Sequence, residues 1–115
     1  MRHDPERLKD IIEAIESIEK YASKGFDVYA ADELIRVWVL HHIQIIGEAA
    51  ANLSPVIKDR YPNIPWPDIV AMRNVLVHQY FGVDLQEVWD TATLDLPTLK
   101  AQIKIVLDEF DQPPD

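Results

Sequence analysis

The chain has 115 residues, a mass of 13.2 kDa and no cysteine. A chain of this size buries roughly two-thirds of the surface that its unfolded form exposes, so it can form one compact core but not two independent domains. The absence of cysteine excludes disulfides, thiolate metal ligands and a cysteine nucleophile. Eleven basic and twenty acidic side chains give a formal net charge of −9, which should repel nucleic acid in bulk. Because no stretch has the pattern of a signal peptide or a membrane span, we expect a cytoplasmic protein.

The first predicted helix begins at Asp4 and Pro5 and ends at Gly25. Aspartate is a favourable N-cap residue, proline is a favourable first helical residue, and glycine commonly ends a helix. Apolar side chains recur between them every three or four residues, and this period predicts one buried face. Its members are Leu8, Ile11, Ile12, Ile15, Ile18 and Ala22.

The second predicted helix covers residues 29–53, with Asp32 in its first turn. Apolar side chains occur around nearly its whole circumference: Leu34, Ile35, Val37, Trp38, Val39, Leu40, Ile43, Ile45 and Ile46. A helix that is apolar on every side must be covered on every side. We therefore expect it at the centre of a bundle and in an interface between two subunits. Gly47 is predicted to let another helix approach closely.

Prolines divide the middle of the chain. Ser54 and Pro55 predict the start of a short helix over residues 56–60. Three prolines within residues 61–67 exclude a helix interior there. The next helix is predicted over residues 66–81, with a glycine directly after it as the stop.

The last helical stretch covers residues 84–110 and contains Pro97. This proline should kink or divide the helix, and Asp95 is a candidate cap for the second half. No segment alternates with the period of two that is typical of strands. The sequence therefore predicts an all-α bundle of four or five helices in a single domain, residues 1–110, followed by a frayed tail at residues 111–115.

No residues are spaced as metal ligands. His41 and His42 are adjacent, so they point about 100° apart on a helix, and no histidine or carboxylate lies on a matching face. They are interpreted as hydrogen-bonded core or interface side chains. Trp38, Trp66 and Trp89 are interpreted as core or dimer contacts. We expect neither a bound metal nor a cofactor.

One segment groups side chains that suit acid–base and phosphate chemistry: Arg73, Asn74, His78 and Tyr80. Asn74 and His78 are four residues apart, so they share a helix face and can hydrogen-bond. Arg73 lies about 140° around the helix from His78, so the two converge through the reach of the guanidinium or by pairing across a two-fold axis. A histidine that moves a proton and an arginine that stabilises charge on phosphorus can cleave RNA without metal. Spacing alone also leaves a second interpretation open, in which these residues are a surface arginine beside a histidine that caps the helix.

The order of Arg73, His78 and Tyr80 resembles the R-x4-H-x-Y motif of the HEPN superfamily. Within that superfamily it is most similar to the HepT toxins, which are paired with minimal nucleotidyltransferase (MNT) antitoxins. The resemblance extends over most of residues 5–108. The matching segments besides the motif are residues 29–54, 61–66, 88–90 and 96–97.

The resemblance implies a HEPN-type bundle that dimerises through its helices, with a cleft that joins the two motifs. It implies that the chain is a metal-independent endoribonuclease that cleaves RNA by attack of the 2′-hydroxyl. Arg73 and His78 would be its catalytic pair, supported by Asn74. It also implies that Tyr80 accepts AMP from the MNT antitoxin in a type VII-like toxin-antitoxin system. An AMP group there would place negative charge where an RNA phosphate must bind.

Two other functions stay open. The chain could be a non-catalytic helical subunit that binds a nucleotidyltransferase, which suits the net charge of −9, or an antitoxin whose nucleotidyltransferase partner is the toxin. Lys58 and Arg60 are candidate RNA contacts, and a solvated surface is an equal interpretation of them.

Overall fold

The computed structural model describes residues 3–74 and 85–111. Three long helices form the bundle: α1 (Asp4–Ala22), α3 (Glu33–Ala51) and α7 (Leu96–Asp111). The shorter elements are α2 (Phe26–Ala31), α4 (Pro55–Arg60), α5 (Trp66–Ala71), a 3-10 turn (Met72–Asn74), α6 (Leu85–Asp90) and a π-helical turn (Thr91–Asp95). The described residues contain no strand, which confirms the all-α prediction. None of the described helices is both long and apolar enough to span a lipid bilayer.

Helix α1 lies at the centre of the bundle and packs against both α3 and α7. The side chains predicted for its apolar face are buried, apart from Ile12 and Ala22 at its margins. Complete burial of each large aliphatic side chain stabilises the fold by about 1.5–3 kcal/mol. The fully buried members of this core include Leu8, Ile11, Ile15 and Ile18 of α1, Ile43 and Ile46 of α3, and Leu96 and Ile103 of α7.

The helix predicted over residues 29–53 is divided at Asp32. The Asp32 carboxylate accepts a hydrogen bond from the backbone N–H of Leu34 at 2.9 Å, so it caps a new helix instead of lying inside one. Gly25, predicted to end α1, instead has a φ of +100° and precedes α2. Glycine adopts such a φ without strain, so the tight turn from α1 into α2 forms here, and α1 has already ended at Ala22.

Asp4 does not cap α1, in contrast to the prediction. His3 is the N-cap residue, and Asp4 is the first residue of the helix. The Asp4 carboxylate instead accepts two hydrogen bonds from Ser54, one from its backbone N–H at 3.0 Å and one from its hydroxyl. Ser54 is the N-cap residue of α4, as predicted, but its hydroxyl is used for this contact. These bonds fix the start of α1 to the turn between α3 and α4.

Pro97 divides the last helical stretch, as predicted, but the chain stays helical through the division. Residues Thr91–Asp95 form a π-helical turn, and Asp95 is its last residue. The Thr93 hydroxyl of this turn donates to the carbonyl of Trp89, near the end of α6, at 2.8 Å. Helix α7 runs to Asp111, one residue beyond the predicted end. The rest of the predicted tail lies outside the described residues.

Lys100 links α7 to α1. Its ammonium lies 2.8 Å from a carboxylate oxygen of Glu19 and 3.4 Å from one of Glu16. The hydrogen bond to Glu19 raises the pKa of Lys100. The pair therefore stabilises the fold at neutral pH, and the contribution is lost only as the pH rises through this raised pKa. Both carboxylates are about half exposed, so the contribution is about 0–1 kcal/mol.

We expect Asp4→Ala to lower the free energy of unfolding by about 1.5–3 kcal/mol, because it removes both hydrogen bonds to a charged acceptor. Chemical denaturation measures the loss. Glu6→Ala is the matched control, since Glu6 lies in the same first turn but is exposed. Equal losses in the two variants would show that the helix dipole, rather than the contact with Ser54, accounts for the effect.

Candidate active site

The helix that leads into the candidate site is anchored by Trp66. This side chain is buried, and its indole N–H donates to the carbonyl of Tyr61 at 3.0 Å. The backbone N–H of Trp66 donates to the carbonyl of Ile64 at 2.8 Å and closes the proline-rich turn. Ile69, one turn further on, is also buried. Together these contacts hold α5 against α3, so that the 3-10 turn after it also packs on α3.

The 3-10 turn crosses α3 at Gly47. A Cβ atom placed on Gly47 would lie 2.9 Å from Cα of Arg73 and from the carbonyl carbon of Met72, and closer still to the amide nitrogen of Arg73. Real Cβ atoms do not approach backbone this closely, so only glycine permits the contact. The close approach predicted for Gly47 is thus confirmed, and its partner is the backbone of the first candidate catalytic residue.

The side chains of Arg73 and Asn74 are exposed. The backbone of Arg73 is fixed against α3 while its guanidinium reaches solvent, an arrangement in which a cation can meet an incoming phosphate. In the described part of the helix predicted over residues 66–81, the chain is α-helical from Trp66 to Ala71 and tightens into the 3-10 turn at Met72. Residues 75–81 of that prediction lie outside the described residues. His78 and Tyr80 lie outside the described residues, so their geometry relative to Arg73 and Asn74 stays a prediction.

Arg60 and Lys58 lie on α4, and the contacts of Arg60 connect it to the end of α7. The Arg60 guanidinium lies 5.9 Å from the ring centroid of Tyr61, and the Tyr61 hydroxyl donates to the carboxylate of Glu109. Partial burial and the neighbouring Glu109 raise the pKa of Tyr61. Arg60 therefore faces an aromatic ring beside a carboxylate, and its role as an RNA contact stays a prediction, as does that of the half-buried Lys58.

The adjacent histidines do not form a metal site. Nδ1 of His42 lies 2.7 Å from the carbonyl of Trp38, to which it donates, and the Trp38 indole donates to the carbonyl of Ser17 at 2.7 Å. His42 thus has the hydrogen-bonded structural role that the sequence indicated, whereas His41 is exposed. No group of three histidine, aspartate or glutamate side chains in residues 3–74 and 85–111 could hold a metal ion.

The outer face of α3 is part of the apolar circumference that the sequence predicted, and it is uncovered in the single chain, where Leu34 is 79% exposed and Val37 is 53% exposed. The subunit interface expected there stays a prediction. A groove between α5 and the start of α7, lined in part by Met72 and Leu94, was not identified from the sequence. The sequence did contain a signal for this groove. It was a second apolar row at helical spacing in the last helical stretch, beside the row that forms the core.

The family model described as "Ribonuclease HepT-like" matches residues 11–106. The chain belongs to the HepT-like ribonuclease family. The match includes both sides of the Gly47 contact and the whole segment from Arg73 to Tyr80. Membership in the HepT-like family agrees with the resemblance found in the motif.

Curated relatives support the same family. The chain is 38% identical over 104 residues to the "Probable ribonuclease HepT" of Thermococcus cleftensis, covering 90% of this chain and 94% of that protein. It is 31% identical over 100 residues to the "Putative RNase MJ1380" of Methanocaldococcus jannaschii, covering 86% and 92%. A third relative, the "Gamma-glutamylcyclotransferase and putative RNase MJ0434" of the same organism, is 38% identical over 106 residues. That match covers 91% of this chain but only 48% of the relative. No solved structure matches the chain.

We expect Gly47→Ala to displace the 72–74 turn and to lower the free energy of unfolding by about 1–3 kcal/mol, because the added methyl group overlaps backbone that cannot move aside as a side chain would. The higher helix propensity of alanine offsets part of this loss. Thermal unfolding measures the net effect. Glu48→Ala, at the exposed neighbouring position, is the control and should be nearly neutral. A Gly47→Ala protein as stable as that control would contradict the proposed backbone contact.

Proposed function

We propose that this chain is the toxin of a type VII-like HEPN/MNT toxin-antitoxin pair and that it is a metal-independent endoribonuclease. One observation carries the proposal: Arg73, the first residue of the family motif, is exposed on a turn whose backbone is fixed against Gly47. An enzyme that stabilises a transition state needs its cation placed in advance, since reorganisation during the reaction is costly. Membership in the HepT-like ribonuclease family supports the assignment.

The proposed reaction uses the chain's own side chains. The 2′-hydroxyl of the RNA attacks the adjacent phosphorus, and the bond from phosphorus to the 5′-oxygen breaks. The 2′-oxygen loses its proton as it bonds to phosphorus, and the leaving 5′-oxygen gains one. His78 carries out one of these two proton transfers and solvent water the other, while Arg73 stabilises the charge that develops on the phosphoryl oxygens. Asn74 orients the imidazole. The products are a 2′,3′-cyclic phosphate and a 5′-hydroxyl, and no step needs a metal.

A homodimer through the outer face of α3 is part of the proposal. Leu34, Val37 and His41 share this face, with the half-buried Ile45 at its margin toward α1. Leu34 and Val37 are among the most exposed apolar side chains described. The face is self-complementary about His41: in an antiparallel pair of α3 helices with His41 on the two-fold axis, Val37 of each chain meets Ile45 of the other. Such a dimer covers the side of α3 that one chain leaves open.

Regulation by a nucleotidyltransferase is the third part of the proposal. Tyr80 would accept AMP from an MNT antitoxin, and the added phosphate would compete with RNA phosphate for Arg73. Two chains carry a net charge of −18, since each carries −9. RNA binding should therefore depend steeply on the few cations at the cleft, and added negative charge there should suppress it. Co-expression with a minimal nucleotidyltransferase, followed by mass spectrometry, tests for AMP on Tyr80, with Tyr80→Phe as the control.

The net charge of −9 favours one alternative, a non-catalytic or antitoxin subunit that binds a nucleotidyltransferase. Growth separates the two functions. Expression of the chain alone should arrest growth and degrade RNA if it is the toxin, whereas intact growth and intact RNA favour the binding subunit.

We expect Arg73→Ala and His78→Ala each to lower the rate of RNA cleavage by about 10²–10⁴-fold, because each removes a group that acts in the transition state. Cleavage of a labelled RNA in excess chelator measures the rate. Lys104→Ala is the control, since it removes one exposed cation from α7. Cleavage that survives in His78→Ala, or that disappears in chelator alone, would contradict the mechanism.

We expect Leu34→Asp combined with Val37→Asp to convert the dimer into monomers, because the change adds two charges from each chain to the proposed interface. Sedimentation velocity measures the oligomeric state. Val56→Asp is the matched control, since Val56 is 71% exposed on α4. A double variant that stays dimeric would place the interface elsewhere.

A mixing experiment then tests whether the two chains share each site. Heterodimers of Arg73→Ala with His78→Ala regain cleavage if Arg73 acts with the partner chain's histidine. They stay inactive if each site uses the arginine and the histidine of the same chain.

A further inference from the structure

A groove of about 420 Å³ lies between α5 and the start of α7. Pro65, Ile69, Met72 and Leu99 contribute to its lining, so its walls are largely apolar. Ile69 and Leu99 are buried, whereas Leu94 at the margin is 66% exposed. A volume of this size accommodates one or two large apolar side chains from another molecule.

An uncharged row continues from the groove along the outer face of α7. Leu94, Thr98, Ala101 and Ile105 are spaced by three or four residues, and all four are exposed. Ile105, at the far end, is 58% exposed. The row extends over about 16 Å at 1.5 Å per residue, which is about three turns of a helix. Its length and its lack of charge suit a second helix lying along α7.

The charged side chains among the described residues that line the groove are negative. Asp68 of α5 and Asp95 at the end of the π-helical turn both line it and are exposed. No lysine or arginine is among the described residues that line it. Lys100, the nearest cation along α7, is directed to Glu16 and Glu19 of α1. An occupant that carries cations on either side of an apolar side chain complements this surface, and an RNA backbone does not.

We propose that this groove is a docking site for an amphipathic helix of a partner protein, with apolar side chains in the groove and along the α7 row, and lysine or arginine beside Asp68 and Asp95. A second copy of this acidic chain offers poorer charge complementarity. The surface is distinct from the outer face of α3, so one chain can dimerise and dock the partner helix simultaneously.

The location gives the partner a route to the candidate active site. Met72 is part of the groove wall, and Arg73 follows it directly. A helix docked in the groove therefore contacts the residue directly before Arg73, and we infer that it narrows the approach of RNA to that arginine. This last step rests on the proposed ribonuclease function, whereas docking itself does not.

The experiment uses a synthetic amphipathic helical peptide of roughly 18 residues, with leucines every three or four positions and lysines flanking them. The second probe is the same peptide with glutamate in place of lysine. Binding to the full ¹⁵N-labelled chain carrying His78→Ala is followed without RNA, by amide chemical shifts and by fluorescence anisotropy. Because this measurement uses no RNA, its result does not depend on whether the chain cleaves RNA.

The lysine peptide should shift the amide resonances of Met72, Leu94 and Gln102 and should bind at least tenfold more tightly than the glutamate peptide. Asp68→Asn combined with Asp95→Asn should weaken it by about threefold to thirtyfold, since each exposed ion pair contributes up to about 1 kcal/mol. The control is Asp27→Asn combined with Asp59→Asn, an equal change of charge at two exposed positions on α2 and α4. It should change the affinity by less than about twofold.

Three results would overturn the proposal. The first is equal weakening by the two pairs of aspartate substitutions, which would indicate attraction to the overall charge. The second is a set of shifts centred on Leu34 and Val37 of α3. The third is a larger response of the groove resonances to a single-stranded RNA oligonucleotide, or to protein concentration alone, than to the lysine peptide. That result would assign the groove to nucleic acid or to a second copy.

Discussion

The contact between Gly47 and the backbone of Arg73 is the constraint on which the candidate active site depends. Glycine in the interior of a helix costs about 0.5–1 kcal/mol relative to alanine, and in α3 this cost permits a second stretch of backbone to lie against the helix. A longer side chain at the same position would hold the turn away from the core. The arginine thus obtains a rigid base without being buried, which is the combination that electrostatic catalysis requires.

Exposed apolar side chains are distributed unevenly over the surface of this bundle. The core formed by α1, α3 and α7 leaves apolar side chains uncovered on the outer face of α3 and along the outer face of α7. These faces differ in their surroundings, because the α7 face continues into a groove bordered by Asp68 and Asp95, whereas the α3 face carries a histidine at its centre. This small acidic chain therefore has two separate and chemically different apolar surfaces.

The long helices could be predicted from periodicity, since burial of one face is a local property of the sequence. Local rules failed where a distant residue provided a better partner. Asp4 has the sequence context of an N-cap, but Ser54 uses its carboxylate. Asp32 interrupts a continuous apolar pattern that has no glycine or proline beside the interruption. At the candidate site, Gly47 indicated a close approach, but only the fold identifies Arg73 as the partner. The positions of His78 and Tyr80 remain predictions from the motif.

The π-helical turn before α7 sets the rotational phase of that helix. A π turn is equivalent to one extra residue in an α-helix, so it rotates everything that follows relative to α6. Trp89, before the turn, packs on Phe26 and Tyr29 of α2, while Lys100, after it, pairs with α1. Without the extra residue, the two sets of contacts would be out of phase by about 100°. One residue of helical register thus decides which side of α7 joins the core and which side remains available to other molecules.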